Sequence, residues 1–414
     1  MKKIGLLSLV ATTALLAGGY KIPETSTNAV ALGAANIAHN HENADAAYYN
    51  PAKMVFMKDT STIEADVMYI GLDKVKYQGT VSGTGPYSLE SESENFIVPS
   101  LHYVSPKLGD KGARVGVSIV APGGLSKRWQ TQPAKTIAEE FSLEITEINP
   151  TAAFKITDNL AFAAGFRIVY SKGTVKSNGA VVVIPPAITS TIMRDMQGDS
   201  VDMGYNLALA YQPTKDIEVG VTYRSNVNLN IEGDATLSSS LDAGIYSGGA
   251  NVSIPLPATL AAAVAYTLPT KTTVELVYER TYWSAYEGLD FGYSGTLASP
   301  ILIGAFDLPK TKNWHDTNTY RLGITQELDA LTLMAGLVID ETPAPDGTLS
   351  FELPDTDSTA VSLGGRFALS DNLEIGLSAL YSMHKSRSVT NGSISGEFSD
   401  GNILLVSAGL GYKF

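Results

Sequence analysis

Leu160-Ala161-Phe162-Ala163-Ala164-Gly165-Phe166-Arg167-Ile168-Val169-Tyr170 is a stretch in which bulky apolar residues alternate with small or charged ones. Successive side chains of an extended strand point to opposite faces, so the two kinds of residue separate. One face carries Leu160, Phe162, Phe166, Ile168 and Tyr170, and the other carries Ala161, Gly165 and Arg167. This pattern is typical of a strand in a wall between lipid and an aqueous lumen. The stretch therefore predicts a membrane-spanning β-strand.

The same alternation recurs throughout residues 59–414 and predicts about 14 strands, an even number, as a closed bacterial outer-membrane barrel requires. Short turns alternate strictly with long connections of different composition, which is how the periplasmic turns and extracellular loops of such barrels are arranged. We therefore predict an all-β fold, a transmembrane antiparallel β-barrel over residues 59–414. Its predicted strands are 59–73, 95–107, 112–121, 143–156, 159–172, 198–213, 216–231, 250–267, 271–283, 314–327, 330–340, 358–369, 372–384 and 401–414.

Residues 18–58 form the one sizeable segment that does not alternate for long enough to make a spanning strand. The segment begins Gly18-Gly19-Tyr20, continues through an alanine-rich run and ends in Tyr48-Tyr49-Asn50-Pro51-Ala52. Small residues allow close backbone packing, and Asn before Pro favours a turn. A compact segment ahead of a long run of strands predicts a hatch, meaning a plug inside the barrel lumen.

Residues 1–17 predict a secretory signal peptide. Lys2-Lys3 precedes an apolar core from Ile4 to Leu16, and Ala17 ends a Leu-Leu-Ala tripeptide suited to cleavage before Gly18. The core is short for a membrane anchor, which needs about 20 residues. The chain has no cysteine, so disulfides supply no rigidity. The expected location is the outer membrane of a Gram-negative bacterium.

The composition agrees with a barrel and excludes some partners. Charged residues make up 17% of the chain and the mean hydropathy is +0.05. This is apolar for a secreted soluble protein, yet no second apolar run is long enough for a spanning helix, and alternating strands reconcile the two facts. The net charge of −13 argues against nucleic acid as a partner.

Short motifs along nearly the whole chain resemble those of the FadL family of outer-membrane transporters for long-chain fatty acids and other hydrophobic compounds, including its toluene-uptake branch. Their order and spacing on the predicted strands carry the resemblance. The motifs include Asn50-Pro51-Ala52, Pro122-Gly123-Gly124-Leu125 with Trp129, Asn149-Pro150-Thr151-Ala152, Leu256-Pro257-Ala258, Tyr282-Trp283-Ser284, Asn313-Trp314-His315-Asp316-Thr317, Gly336-Leu337-Val338-Ile339-Asp340 and Leu353-Pro354-Asp355.

The resemblance implies capture of a hydrophobic ligand by the extracellular loops, transfer to a luminal pocket, rearrangement of the hatch and lateral release through a kinked third strand. Gly116 and Pro122-Gly123-Gly124 are residues that permit such a kink, although the sequence does not show one. Passive uptake of long-chain fatty acids is the leading interpretation. An apolar groove serves alkanes and aromatic hydrocarbons equally well, so these stay open as substrates.

Three groups of residues are candidates for the transport site. Asn50, Pro51 and Ala52 are expected to hold the hatch and to take part in gating. Leu125, Trp129, Ile137 and Phe141 are expected to line a loop groove, with simple loop packing as the alternative. Arg167 and Arg224 are the inward-facing cations suited to a carboxylate head group, with structural ion pairing as the alternative.

The remaining expectations concern rival functions and other partners. A general porin needs no hatch, and a surface adhesin or structural barrel would rely on the loops. An enzyme is not expected, because the five histidines are scattered and no Gly-x-Ser-x-Gly occurs. His39 and His41 are too few for a metal site, and no cofactor is expected. Lipopolysaccharide and other outer-membrane lipid should surround a monomer, and Phe414 resembles the terminal signal read by the outer-membrane assembly machinery.

Overall fold

The computed structural model describes residues 18–40, 42–184, 188–242 and 244–414. Within this described part, fourteen antiparallel strands close into a barrel, and the first strand pairs with the last over Thr62↔Lys413 to Leu72↔Ile403. The predicted fold class is confirmed. The barrel strands are β1 (Thr62–Leu72), β2 (Glu94–Val104), β3 (Arg114–Val120), β4 (Glu140–Thr157), β5 (Leu160–Ile184), β6 (Ile188–Tyr211), β7 (Ile217–Arg224), β8 (Thr259–Thr267), β9 (Thr272–Thr281), β10 (Thr317–Glu327), β11 (Leu331–Asp340), β12 (Ser358–Ala368), β13 (Leu373–His384) and β14 (Ile403–Lys413).

The two faces of the strands differ as the alternation predicts. On β5, Phe166 and Tyr170 are 46% and 44% exposed, whereas Arg167 and Val169 are buried on the luminal side. Large apolar side chains on the outer face meet lipid, where exposure costs nothing, and the inner face meets the hatch. Among the described residues, no helix is long and apolar enough to cross a membrane.

Three predicted boundaries are wrong. Within residues 173–197, predicted as a loop, residues 173–184 and 188–197 continue β5 and β6 outward and pair with each other, because apolar and polar residues still alternate there, as at Ile192 and Met196. The predicted strands 216–231 and 250–267 are each interrupted, at 225–226 and at 257–258. Their outer parts, Val227–Ser239 and Ile245–Leu256, pair with each other above the barrel.

Further short elements cover the extracellular end of the barrel. A four-stranded sheet joins the connection after β1 to the connection after β13. The additional strands are Val75–Val81, Thr84–Glu90, Gly124–Lys127, Gly288–Leu289, Phe291–Tyr293, Lys310–Thr311, Arg387–Thr390 and Ile394–Asp400. The helices outside the hatch are Ala134–Ala138 and Pro300–Leu302, with 3₁₀ turns at Trp283–Ala285 and Asp346–Thr348 and a π turn at Ile303–Asp307.

The hatch fills the lumen through short helices at Thr27–Leu32 and Ala46–Tyr49 and a 3₁₀ turn at Pro51–Phe56. Ser26 caps the first helix by accepting a hydrogen bond from the Ala29 N–H group (3.1 Å). The side chains of this helix are buried on all sides, which suits its small, alanine-rich sequence. The hatch also contacts the last barrel strand, where Thr27 Oγ1 lies 2.9 Å from Ser407 Oγ of β14.

Glycine in the barrel wall lets the hatch approach closely. A Cβ atom at Gly336 would lie 2.4 Å from the backbone carbonyl carbon of Leu32, which is closer than van der Waals contact.

Gly336→Ala is therefore expected to destabilise the seated hatch by about 1–3 kcal/mol. Thermal unfolding and the protease sensitivity of residues 27–56 measure the effect. Gly347→Ala is the matched control, since no heavy atom from elsewhere in the described chain lies within 4 Å of its Cβ position; equal effects of the two substitutions would contradict the close-packing explanation.

Candidate functional site: a loop groove and a plugged lumen

An apolar groove lies among the extracellular loops, between the β5–β6 hairpin and the outer strand pair at Val227–Ser239 and Ile245–Leu256. The space between these elements, including the part that is open to solvent, is about 460 Å³. Its lining is mainly apolar and includes Phe141, Leu143, Val175, Met196, Ile231 and Phe291. The groove is thus suited to an acyl chain or another apolar body, at about 0.8 kcal/mol per buried CH₂ group.

Arg194 lies beside this groove and is buried, with 3% exposure. Its guanidinium carbon is 5.2 Å from the ring centre of Phe291, which also lines the groove, and 5.0 Å from that of Phe306. Nη2 donates a hydrogen bond to Ser177 Oγ (2.9 Å). In the described structure, Nε and Nη1 have no hydrogen-bond partner. A buried guanidinium with free donors is costly unless an acceptor joins it.

Two lysines strengthen the positive potential around Arg194. Lys312 Nζ lies 2.6 Å from Glu352 Oε1, and both side chains are buried. Burial favours the neutral form of Glu352, but the ammonium groups of Lys312 and Lys310 lower the pKa of Glu352 to about 2. Three cations and one carboxylate leave a net charge of +2, which favours an anionic group beside the groove.

The four residues predicted to line the groove have different surroundings. Phe141 lines it, whereas Leu125 and Trp129 are buried in loop packing and Ile137 packs against the same apolar cluster. Trp129 Nε1 donates to the Phe351 carbonyl (2.8 Å), and the two rings stack edge-on. A ligand role for these residues stays a prediction.

Arg167 and Arg224 border a second cavity inside the lumen, next to the hatch. Arg167 donates from Nε and Nη2 to Glu147 Oε2 (3.0 and 2.9 Å). Arg224 donates to Glu147 Oε1, and its guanidinium lies 4.2 Å from the Tyr48 ring centre. One carboxylate thus engages both arginines, and the trio keeps a single net positive charge. Their role in ligand binding stays a prediction.

Asn50 links the hatch to the barrel. Its Nδ2 donates to the carbonyls of Ile37 in the hatch (2.9 Å) and Leu209 in β6 (3.1 Å), and its Oδ1 accepts from the Ala52 N–H group (3.1 Å). Pro51 is the first residue of the following 3₁₀ turn, where its missing N–H group costs no hydrogen bond. These bonds fit the predicted anchoring role, and a part in gating stays a prediction.

Glu275 of β9 is an anchor that sequence reasoning missed. Its carboxylate accepts three hatch N–H groups, from Ile37 (2.7 Å), Ala38 (2.7 Å) and His39 (2.9 Å). Charge-assisted bonds of this kind are strong, so the body of the hatch is held firmly. The only sequence signal was an acidic residue on the luminal face of a predicted strand.

The barrel wall is interrupted at its third strand. β3 ends at Val120, and the chain pairs with β4 again only from Gly124 to Lys127. Residues 20–22 of the hatch lie along the break: the Ile22 N–H group donates to the Pro122 carbonyl (2.9 Å), and the Gly124 N–H group donates to the Tyr20 carbonyl (2.8 Å). The amino-terminal end of the hatch, residues 18–24, therefore borders both the luminal cavity and the wall break. We call this segment the arm.

His102 and His39 have structural surroundings. His102 Nδ1 lies 3.0 Å from Ser118 Oγ, but Nε2 faces the Thr25 carbonyl (3.4 Å) and both side chains are fully buried, which leaves no approach for a substrate. His39 Nδ1 lies 2.8 Å from Glu218 Oε1. His41 lies outside the described residues. In the described part of the chain, no group of three or more potential ligands is placed to hold a metal ion.

A hatch-filled barrel with an apolar groove among its outer loops defines an outer-membrane transporter of hydrophobic compounds. The family model described as outer membrane protein transport protein (OMPP1/FadL/TodX) matches residues 8–414. The chain belongs to this FadL/TodX family, and it is an outer-membrane protein.

The relatives and solved structures that resemble the chain include a fatty acid transport protein and a toluene transporter. A long-chain fatty acid transport protein of Escherichia coli is 24% identical over 452 residues, covering 99% of this chain and 97% of the relative. A FadL homologue of Pseudomonas aeruginosa has a TM-score of 0.84 at 19% identity, covering 95% of this chain and 99% of that one. The toluene transporter TodX of P. putida has a TM-score of 0.72 at 17% identity, covering 94% and 98%. At these identities the solved structures establish the fold alone.

Proposed function

We propose that the protein takes up long-chain fatty acids by passive, ligand-gated diffusion. The observation that carries the proposal is the buried guanidinium of Arg194, whose Nε and Nη1 have no partner in the described structure, beside an apolar groove. An acyl chain gains free energy in the groove, and a carboxylate there accepts a charge-assisted hydrogen bond from one of the free donors. The related fatty acid transport protein of Escherichia coli supports the same substrate class.

In the proposed route, a fatty acid leaves the lipopolysaccharide surface, enters the groove and passes to the luminal cavity. That cavity is lined by Tyr48, Pro122, Arg224 and Leu256, among other residues. The ligand then displaces the arm from the wall break and leaves sideways into the membrane. Asn50, Pro51 and Ala52 keep the rest of the hatch in place during this step.

The proposal is tested by equilibrium binding of radiolabelled fatty acids to the purified barrel in a detergent that binds the groove weakly. We expect saturable binding that strengthens about fourfold per added CH₂ group, since each contributes about 0.8 kcal/mol. Toluene and a long alkane should compete poorly. The fatty alcohol of equal length, which lacks the charge, should bind at least about tenfold more weakly.

A hydrocarbon substrate is the second candidate, because most of the groove lining is apolar and the toluene transporter TodX has the same fold. Equal binding of acid, alcohol and alkane would favour this candidate. No saturable binding of any of them would contradict transport through the groove and favour a porin or an adhesin.

A further inference from the structure

The first two described residues of the chain are buried against acidic and aromatic side chains. Gly18 and Gly19 have φ angles of 84° and 82°, in the left-handed region that favours glycine. A Cβ atom at Gly18 would lie 2.5 Å from Asp340 Oδ2, and one at Gly19 would lie 2.5 Å from the Trp283 ring. The backbone of Gly18 therefore lies directly against the Asp340 carboxylate, and that of Gly19 against the Trp283 ring.

A second buried carboxylate, that of Asp355, faces the same place. Asp355 accepts hydrogen bonds from the Thr342 hydroxyl (2.5 Å) and from the Gly19 N–H group. Burial raises the pKa of Asp355 to about 7, against the effect of its hydrogen bonds, and the Asp340 carboxylate contributes to the rise. Asp340 Oδ1 accepts from Thr319 Oγ1 (2.6 Å), so its Oδ2 is the oxygen that faces Gly18.

The surrounding cations are shared with other acids. Arg321 Nη1 lies 3.5 Å from Glu24 Oε1, and Arg321 Nη2 lies 3.6 Å from Glu279 Oε1. Lys21 Nζ lies 2.5 Å from the same Glu279 oxygen. Arg387, at the outer edge, pairs with the exposed Asp346 and donates to the backbone of Asp355. Three carboxylates (Glu24, Glu279 and Asp340) thus share the two buried cations, Lys21 and Arg321, and the neighbouring Asp355 adds a fourth acid to the cluster. Among these described groups the carboxylates exceed the cations by two, and one more positive charge would offset half of that excess.

We propose that cleavage between Ala17 and Gly18 creates this missing cation, because the new α-ammonium group of Gly18 then lies between Asp340 and Asp355. The Gly18 nitrogen is within roughly 5 Å of Asp340 Oδ2, given the ordinary N–Cα and Cα–Cβ bond lengths. A free α-amino group has an ordinary pKa of about 7.7–8.0, whereas a peptide nitrogen carries no charge. Processing therefore supplies the charge that fixes the arm in the lumen.

The proposal is tested on the mature protein without any fatty acid, so its outcome is independent of the substrate. Intact mass spectrometry identifies the first residue. The acylation of the α-amino group is then followed by mass spectrometry from pH 6 to 10, and the midpoint of the profile gives its pKa. We expect a chain that begins at Gly18 and a midpoint at least about one unit above the ordinary range, equivalent to a tenfold smaller neutral fraction at a given pH.

Asp340→Asn is expected to lower the midpoint by about one unit, and Asp355→Asn is a second variant should the first one fold poorly. Asp329→Asn, in a periplasmic turn, is the matched control and should leave the midpoint unchanged. Retention of the compact, heat-modifiable barrel on a detergent gel shows that each variant is folded. A mature chain that begins elsewhere, an ordinary midpoint, or a midpoint that both Asn variants leave unchanged would overturn the proposal.

Discussion

Arg194→Gln is expected to weaken fatty acid binding about 10- to 100-fold, because a charge-assisted hydrogen bond to a carboxylate contributes about 1.5–3 kcal/mol. Binding of the alcohol of equal length should change less than about twofold, since its hydroxyl makes no ion pair. The measurement is equilibrium binding of the acid and the alcohol to wild type and variant. Preference for the acid should therefore disappear while affinity for the chain remains.

Lys172→Gln is the matched control for this prediction. Lys172 belongs to the same hairpin and carries the same charge, but its side chain is exposed. The control should lower acid binding less than about twofold in ordinary salt, because exposed charges are screened. An equal loss of acid binding in both variants would indicate a general field effect, and an equal loss of acid and alcohol in Arg194→Gln would indicate a damaged groove.

A disulfide between residues 22 and 122 should reduce uptake at least about tenfold while leaving ligand binding intact. Ile22 and Pro122 are joined by a 2.9 Å backbone hydrogen bond across the wall break, and the native chain has no cysteine to interfere. Ile22→Cys with Pro122→Cys fixes the arm against the broken strand, so the proposed sideways exit cannot open. Uptake by cells before and after treatment with a reductant measures the effect, and reduction should restore it.

Thr27→Cys with Ser407→Cys provides the comparison, because the two native hydroxyl groups lie 2.9 Å apart. This bond fixes the hatch body to β14 and leaves the arm free. Uptake should stay close to the wild-type level if ligand leaves through the wall. Loss of uptake in this variant, with normal uptake in the first, would instead indicate that the hatch body moves and that ligand passes through the lumen.

Alternation predicted the barrel because each wall strand separates two different environments. Phe166 and Tyr170 face outward and Arg167 inward for that reason alone. The outer part of the β5–β6 hairpin escaped the same reasoning, since its different composition suggested a loop although Ile192, Arg194 and Met196 still alternate with their neighbours. Following the alternation past residue 173 would have placed Arg194 on the face that meets the groove.

Contacts across the barrel could not be predicted from spacing. Glu147 pairs with Arg167 on the adjacent β5 and with Arg224 on β7, and the register of the four neighbouring strands β4 to β7 brings the three together. The same holds for Glu275, whose three hatch partners are more than 230 positions away in the chain. From the sequence, a carboxylate in a strand can be predicted only to face inward. The segment that it binds depends on the complete fold.

The contact between Thr27 and Ser407 has a consequence for the order of assembly. The two residues are 380 positions apart, so the segment that is synthesised early finds its partner only when the last strand arrives. Contacts of such long sequence separation form slowly, because chain entropy must be lost before they stabilise anything. Closure of the barrel wall and seating of the hatch are therefore expected to be the same late event. During biogenesis, a barrel with an unclosed wall and no seated hatch should precede the finished protein.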